Sequence, residues 1–365
     1  MVILIFLSAI FSVERANAFP EMIRHGYVNC TTCHVSPSGE GLLTAYGRSL
    51  SQELLSTWRR EGESDFLYGL VTLPEWLHLG GDLRMVQTYR DTPTAREGRF
   101  IVMQADVEGA ISYGQFQAAG TIGREQVSGA PSFADEIFSR RHYVNYRPTD
   151  QLSFRAGKFN KAYGITVPDH VLVIKRGLGW DTGSETYNVE AAWLGSDFDV
   201  FATGVIGRPD VPRLQRDKGF ALRSSLNFLD RYKVGLSYFW GTNDNASRHV
   251  FGPFGILGIT PHFFILFEID FQRSAPANGS EPRFGIVDYI RVNYEVIQGL
   301  HLYVTQELSK LDFKNELSRM EAYGIGIQFF PRPHFEMNLF FQKQKILAVS
   351  SGLIDMAAAM FHFYL

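Results

Sequence analysis

From about residue 76 to the last residue, apolar and polar side chains alternate in stretches of about ten, separated by clusters of Gly, Pro, Asp and Asn. This period-two pattern predicts strands whose two faces meet different surroundings. In "IRVNYEV", Ile290, Val292, Tyr294 and Val296 share one face, while Arg291, Asn293 and Glu295 share the other. "LHLYVTQEL" sets Leu300, Leu302, Val304 and Leu308 against His301, Tyr303, Thr305 and Glu307. "FEMNLFFQ" repeats the arrangement with Phe335, Met337, Leu339 and Phe341 against Glu336, Asn338 and Gln342, and "YKVGLSYFW" gathers Tyr232, Val234, Leu236, Tyr238 and Trp240. A soluble sandwich would have to keep the charged face dry or expose the large aromatics to water. A barrel in lipid resolves the conflict, with apolar faces outward and polar faces lining a lumen.

Sixteen candidate strands follow, roughly 76–90, 99–113, 115–125, 137–147, 151–159, 185–195, 197–208, 217–229, 232–243, 248–258, 262–274, 284–297, 299–310, 320–330, 333–345 and 353–365. An even count near sixteen is porin-sized and leaves room for a lumen. Short joins such as "DRYK" and "PRPH" read as periplasmic turns. The longest join, residues 160 to 184, is of a length that is usually functional, and in porins one such loop commonly folds inward to narrow the pore. The chain ends "AMFHFYL", where Phe361, Phe363 and Leu365 alternate to the last residue, resembling the C-terminal assembly signal of bacterial outer-membrane barrels. No stretch of the mature region approaches eighteen uninterrupted apolar residues, so helical spans are excluded.

The region before the strands differs. Residues 1–18 read as a signal peptide: an apolar run from Val2 to Val13 is followed by Ala16-Asn17-Ala18, an A-x-A cleavage site that makes Phe19 the first mature residue. Residues 19–72 form a second segment. It carries both cysteines of the chain in "VNCTTCHVSP", where Cys30, Cys33 and His34 match the C-x-x-C-H pattern of c-type haem attachment. In that chemistry the thiols of Cys30 and Cys33 form thioethers with the haem vinyl groups, and His34 is the proximal iron ligand. A disulfide would close a tiny loop and constrain little of the unfolded chain. A zinc site wants four ligands, and no second cysteine pair exists. A thioredoxin-like redox pair expects a strand before it and a helix after it, a context that is missing here.

Leu43, Tyr46, Leu50 and Leu54 recur at helical spacing and predict one short amphipathic helix after the motif. About fifty residues with so few apolar anchors are thin for an independent core around a haem, so this segment is expected to rest on the barrel as a plug. The fold expected is therefore all-β: a transmembrane antiparallel barrel of about sixteen strands over residues 73–365, with a short N-terminal monohaem c-type segment.

Composition and charge sharpen this. Aromatics make up 14% of the chain, with Tyr and Trp often near strand ends, where an interfacial girdle wants them. Mean hydropathy of -0.08 is too polar for a helical membrane protein. A net charge of -3 gives no basic footprint for nucleic acid. Asp82, Arg84, Asp106, Glu108, Arg141, Arg147, Arg155, Glu190, Arg223, Arg291, Glu295 and Glu307 are expected to face the lumen. Met22 and His25 are the nearest candidates for a distal haem ligand, with His78 and His301 as alternatives, and Arg24, Arg48 or barrel arginines as candidate propionate partners.

The stretch "FPEMIRHGYVNCTTCHVSPSGEGLLTAYGRSL" resembles the N-terminal segment of outer-membrane porin-cytochrome c fusions, whose best-studied members are monohaem iron-oxidising cytochromes. The matching residues are Pro20, Arg24, Gly26, Cys30, Cys33, His34, Pro37, Leu43, Thr44, Gly47 and Arg48. The resemblance implies one covalent haem c, a sixteen-stranded barrel after it, contact with outer-membrane lipid, a periplasmic electron carrier such as a soluble cytochrome, and an extracellular electron donor or acceptor, ferrous iron among them. From a different class, the chain also reads as a porin for passive diffusion or substrate uptake with an accessory N-terminal plug.

Overall fold

The computed structural model describes residues 20–124, 137–167, 169, 172–180, 183–209, 217–349 and 352–365, so the signal peptide lies outside the described residues. Sixteen strands are present: β1 (Leu77–Asp91), β2 (Arg96–Tyr113), β3 (Phe116–Arg124), β4 (Ile137–Tyr146), β5 (Leu152–Phe159), β6 (Thr186–Leu194), β7 (Phe198–Gly207), β8 (Lys218–Phe228), β9 (Tyr232–Thr242), β10 (Ala246–Gly258), β11 (Phe263–Pro276), β12 (Arg283–Ile297), β13 (Leu300–Lys310), β14 (Arg319–Arg332), β15 (Phe335–Ile346) and β16 (Ile354–Tyr364). Each pairs antiparallel with its sequence neighbours, and β16 pairs with β1 to close the barrel. The closing register sets Asp82 opposite Tyr364 and Met85 opposite Phe361. Closure leaves no unpaired edge, the condition a sheet must meet in lipid. No helix among the described residues is long and apolar enough to cross a membrane.

The strand faces follow the alternation. Along β12, Arg291, Asn293 and Glu295 are buried toward the interior while Tyr294 and Val296 are exposed on the outside. β13 likewise buries His301, Tyr303, Thr305 and Glu307 and exposes Leu302 and Val304. The largest departure at a strand end is β2, which begins at Arg96 rather than near residue 99. Arg96 pairs there with Asp91 beyond the apolar band, where charge hides the periodicity that marks a lipid-facing strand.

The two ends of the barrel differ. At one end the joins are short: residues 114–115, 147–151, 195–197, 229–231, 259–262, 298–299 and 333–334. Outward aromatics stack along this rim, with ring centroids 4.8 Å apart for Phe116 and Tyr146, 5.3 Å for Phe228 and Tyr232, and 6.4 Å for Trp193 and Phe198. Short turns beside an aromatic girdle mark the periplasmic end.

Two expectations about the lumen need correction. Arg147 lies in the turn between β4 and β5, with a guanidinium nitrogen 3.3 Å from the Asp150 carbonyl, and is not a wall residue of the lumen. The inner face is also not polar throughout. Ile165, Leu172, Ile174 and Leu178 of the long β5–β6 join pack against inward-pointing Phe239, Phe254, Phe264 and Val287 in one buried cluster. The physical cause is the join itself: it folds into the barrel, and the wall it covers has become apolar to receive it.

The N-terminal segment occupies much of what remains of the lumen. Buried Arg24 donates to Glu295 at 2.7 Å and to the Pro261 carbonyl at 2.8 Å. Lys233 donates to the Val28 carbonyl at 3.0 Å. Ser51 Oγ lies 2.8 Å from Tyr364 Oη, and the Thr57 and Trp58 amides donate to the carbonyls of Phe330 and Pro331. The short helix is α1 (Ala45–Leu50), continued by a wider π turn over Ser51–Leu55. Its apolar face is narrower than the spacing predicts: Leu43, Leu50 and Leu55 are buried, whereas Tyr46 is exposed, its hydroxyl 3.4 Å from that of Tyr27.

Candidate haem-attachment site in the barrel lumen

Residues Cys30–Thr32 form a single 3-10 turn. The amides of Cys33 and His34 both donate to the Cys30 carbonyl, at 3.2 Å and 2.9 Å. Side chains three apart eclipse in such a turn, so Cys30 and Cys33 come to one side of it. The two sulfurs are not bridged to each other. The chain then reverses through "SPSGEG": Val35 donates to the Leu42 carbonyl, Thr44 donates to the Cys33 carbonyl, and His34 bridges Leu43. Positive φ at Gly39, Glu40 and Gly41 (81°, 76° and 63°) makes this reversal, which explains the glycines on either side of Glu40.

That reversal orients His34. Its Nδ1 lies 3.2 Å from the Gly41 carbonyl oxygen, which can only accept, so Nδ1 is the donor in this contact. Metal-ligating histidines are commonly held this way. Thr44 then ties the helix to the motif, accepting from the Gly47 amide at 3.1 Å and donating to the Thr32 carbonyl at 2.8 Å. Gly47 lies so close to the Cys33 backbone that a Cβ would collide with it. Glycine is what lets α1 rest directly on the attachment turn.

His34 and Cys30 line a partly open cavity with apolar Ile23, Val28, Leu43 and Ile256, with charged wall residues such as Glu108, Arg141 and Arg223, and with Lys161 and Trp180 of the inward join. Cys33 is fully buried in the adjoining apolar cluster with Met22, Leu50, Leu55 and Phe330. Burial pushes the Cys30 thiol up from its ordinary pKa, opposed by the positive charges of Lys233 and Arg223. The join meets the motif loop directly: Thr166 donates to the Ser38 carbonyl at 3.2 Å and Asn160 to Glu40 at 3.0 Å. Asn29, Thr31 and Thr32 lie against the β4–β5 and β6–β7 turns, which places the motif at the short-turn end.

The residue set fits a c-type haem. A histidine and one cysteine share an amphiphilic cavity, and the second cysteine is one turn away. The candidate distal ligands are placed elsewhere. Met22 packs beside Cys33 and does not line the cavity, and neither does His25. His301 is buried between the rings of Phe264 and Phe330, away from the cavity lining. The candidate propionate partners within the segment are engaged by protein: Arg24 as described, and Arg48 with the carbonyls of Leu43 and Leu79.

The sequence reading did not single out Lys161, Trp180 or the apolar lumen wall. A signal for that wall was available. "YFW" at Tyr238–Trp240 and "FFILF" at Phe263–Phe267 are apolar on both faces, so something other than water must cover the inner one.

No protein-family model matches the chain, and no curated protein matches it. Solved structures do. A loop-deletion form of OmpT, an outer membrane protein of Vibrio cholerae, is 12% identical, with a TM-score of 0.62, over 79% of this chain and 99% of that one. OprB of Pseudomonas putida is 7% identical, with a TM-score of 0.62, over 86% and 99%. An anion-selective porin from Comamonas acidovorans is 9% identical, with a TM-score of 0.58, over 79% and 99%. At these identities the likeness establishes the fold: a closed sixteen-stranded antiparallel barrel of the outer-membrane porin kind. The exposed apolar band has lipid as its solvent, and the barrel is a protein of the bacterial outer membrane.

Proposed function

We propose that this chain is an outer-membrane c-type cytochrome built into a porin-fold barrel, and that it carries electrons between an extracellular donor or acceptor and a periplasmic carrier. The observation that carries the reading is the attachment turn held inside the lumen, with His34 oriented by Gly41 and Cys30 facing the same cavity. Cys30 and Cys33 would hold the haem covalently and His34 would be its proximal ligand. A haem bound there supplies a one-electron iron couple whose potential is tuned by axial ligation, burial and hydrogen bonding. The chain's own residues do the rest. Arg155 grips Ser36 and Ser38 at 2.9 Å and 3.1 Å and holds the motif loop to the wall. The inward join meets the motif loop from the other side. The short-turn position of Thr31 and Thr32 favours exchange with a periplasmic partner such as a soluble cytochrome. Ferrous iron as the extracellular donor rests on the family resemblance alone.

A second reading has its own support. The barrel is similar to porins, one of them anion-selective, and its wall carries the mixed charges of a water-filled channel, which fits passive diffusion or substrate uptake with the N-terminal segment as an accessory plug. What weighs against an open pore is the dryness of the wall: Asn293, Glu336 and Gln342 point inward and are 0%, 1% and 1% exposed. Spectroelectrochemistry of the purified protein, followed by mixing with ferrous iron, together with conductance in planar bilayers, separates the two. A reversible haem couple with low conductance supports the cytochrome; no haem and a large steady conductance supports the porin.

A further inference from the structure

Most cations lining the cavity are held by an ion pair or a hydrogen bond. Lys233 is 2.6 Å from Asp199, Arg141 is 2.5 Å from Glu108, Arg140 is 2.9 Å from Asp106, and Lys175 donates to the Ile165 carbonyl at 2.9 Å. Two cations lining the same cavity have no such partner among the described residues. Arg223, on the inner face of β8, is 4% exposed, and its Nε is buried with no acceptor. Its guanidinium touches only rings, 5.5 Å from the centroid of Phe201 and 5.0 Å from that of Phe254. Asp199 and Glu268 lie near enough to feel its charge, but their closest polar contacts are with Lys233 at 2.6 Å and the Ile165 amide at 2.6 Å. Half-buried Lys161, at the start of the inward join, holds its Nζ 4.0 Å over the Trp180 ring and 4.9 Å from that of Phe239 and makes no ion pair within 4 Å among the described residues. Ring faces orient a cation but satisfy none of its N–H donors, and desolvated donors are costly to leave unmade.

Two such cations in a cavity whose mixed lining includes Ile23, Val28, Leu43 and Ile256 fit an amphiphile bearing two carboxylates. We propose that Arg223 and Lys161 hold the two propionates of a haem attached at Cys30 and Cys33. This assignment rests on the cytochrome reading above. Ile23, Val28, Leu43 and Ile256 supply apolar contact that a small soluble dianion would not use, which is why a porphyrin dicarboxylate is favoured over a passing solute. The donor set is divided between barrel wall and inward join, so a bound group would also tie the two together.

The test uses the full-length Cys30→Ala/Cys33→Ala barrel, its folding verified by heat-modifiable gel migration, titrated with ferric protoporphyrin IX, with its dimethyl ester and with succinate. The expected result is that the free acid binds at least about tenfold more tightly than the ester, as charge-assisted hydrogen bonds require. Arg223→Gln and Lys161→Gln should each shrink that ratio, and Arg223→Lys should restore part of it. In the haem-loaded protein the two Gln substitutions should lower the midpoint potential, because removing a nearby cation favours oxidised iron. Acid and ester binding alike, or a ratio and potential indifferent to both substitutions, would overturn the propionate assignment and leave the cytochrome reading standing. Arg223-dependent succinate binding with no porphyrin binding would overturn both.

Discussion

His34 Nδ1 and the Gly41 carbonyl oxygen lie 3.2 Å apart across the reversal that closes the attachment loop. The contact fixes the orientation of the His34 ring at the edge of the cavity. His34→Ala is therefore expected to leave the barrel assembled, since its strands close through their own hydrogen bonds, while the visible spectrum loses its low-spin character and the redox couple disappears or shifts strongly. Optical spectra and dye-exchange kinetics of the purified variant check this. Unchanged values in both would mean that the iron is not ligated as argued.

Gly47→Ala places a methyl group against the Cys33 backbone. Overpacking of this kind costs about 1–3 kcal/mol, and here it should fall on the N-terminal segment alone. The yield of covalent haem should drop and the segment should become easier to cleave in limited proteolysis, with the far-UV CD of the barrel unchanged.

Arg155 joins the wall to the motif loop and also meets Glu190 at 2.7 Å, with both side chains buried. Removing one partner of a buried ion pair costs about 3–5 kcal/mol. Arg155→Ala should loosen the plug and raise single-channel conductance in planar bilayers above that of wild type. Equal conductance together with equal protease resistance would show that this tie does not hold the plug.

Docking of the segment should also depend on pH. Burial, with Arg24 and His262 adding to it, lowers the His25 pKa from 6.5 to about 4. The folded segment thus disfavours the proton, so its stabilisation is complete above pH 6.5 and declines as the pH falls from there toward 4. Proteolysis of the segment should accelerate across that window in wild type, and His25→Gln should flatten the profile.

The barrel was legible because lipid favours alternation: inward Arg291 and Glu295 of β12 and His301 of β13 are each flanked by outward apolar residues, and Phe361 and Phe363 keep the period at the terminus. Cys30, Cys33 and His34 could be read as a candidate attachment motif because c-type haem chemistry would need them close together in sequence. Arg223 could be placed on the inner face but not distinguished from Arg155, since which of them meets a carboxylate depends on partners contributed by other strands. The apolar lumen wall was missed for a related reason. Phe239 and Phe264 interrupt the alternation locally, but what covers them comes from a join some 60 to 100 residues earlier in the chain.

The central claim is one covalent haem held at Cys30 and Cys33 inside the barrel. The direct measurement is haem staining and intact mass of the denatured protein after expression with a haem-attachment system, because a thioether-linked haem survives denaturation. Wild type should stain and carry the added mass of a single haem, and Cys30→Ala/Cys33→Ala should do neither while still folding as a heat-modifiable barrel. A wild-type protein without covalent haem, or a double variant that retains it, would contradict the account.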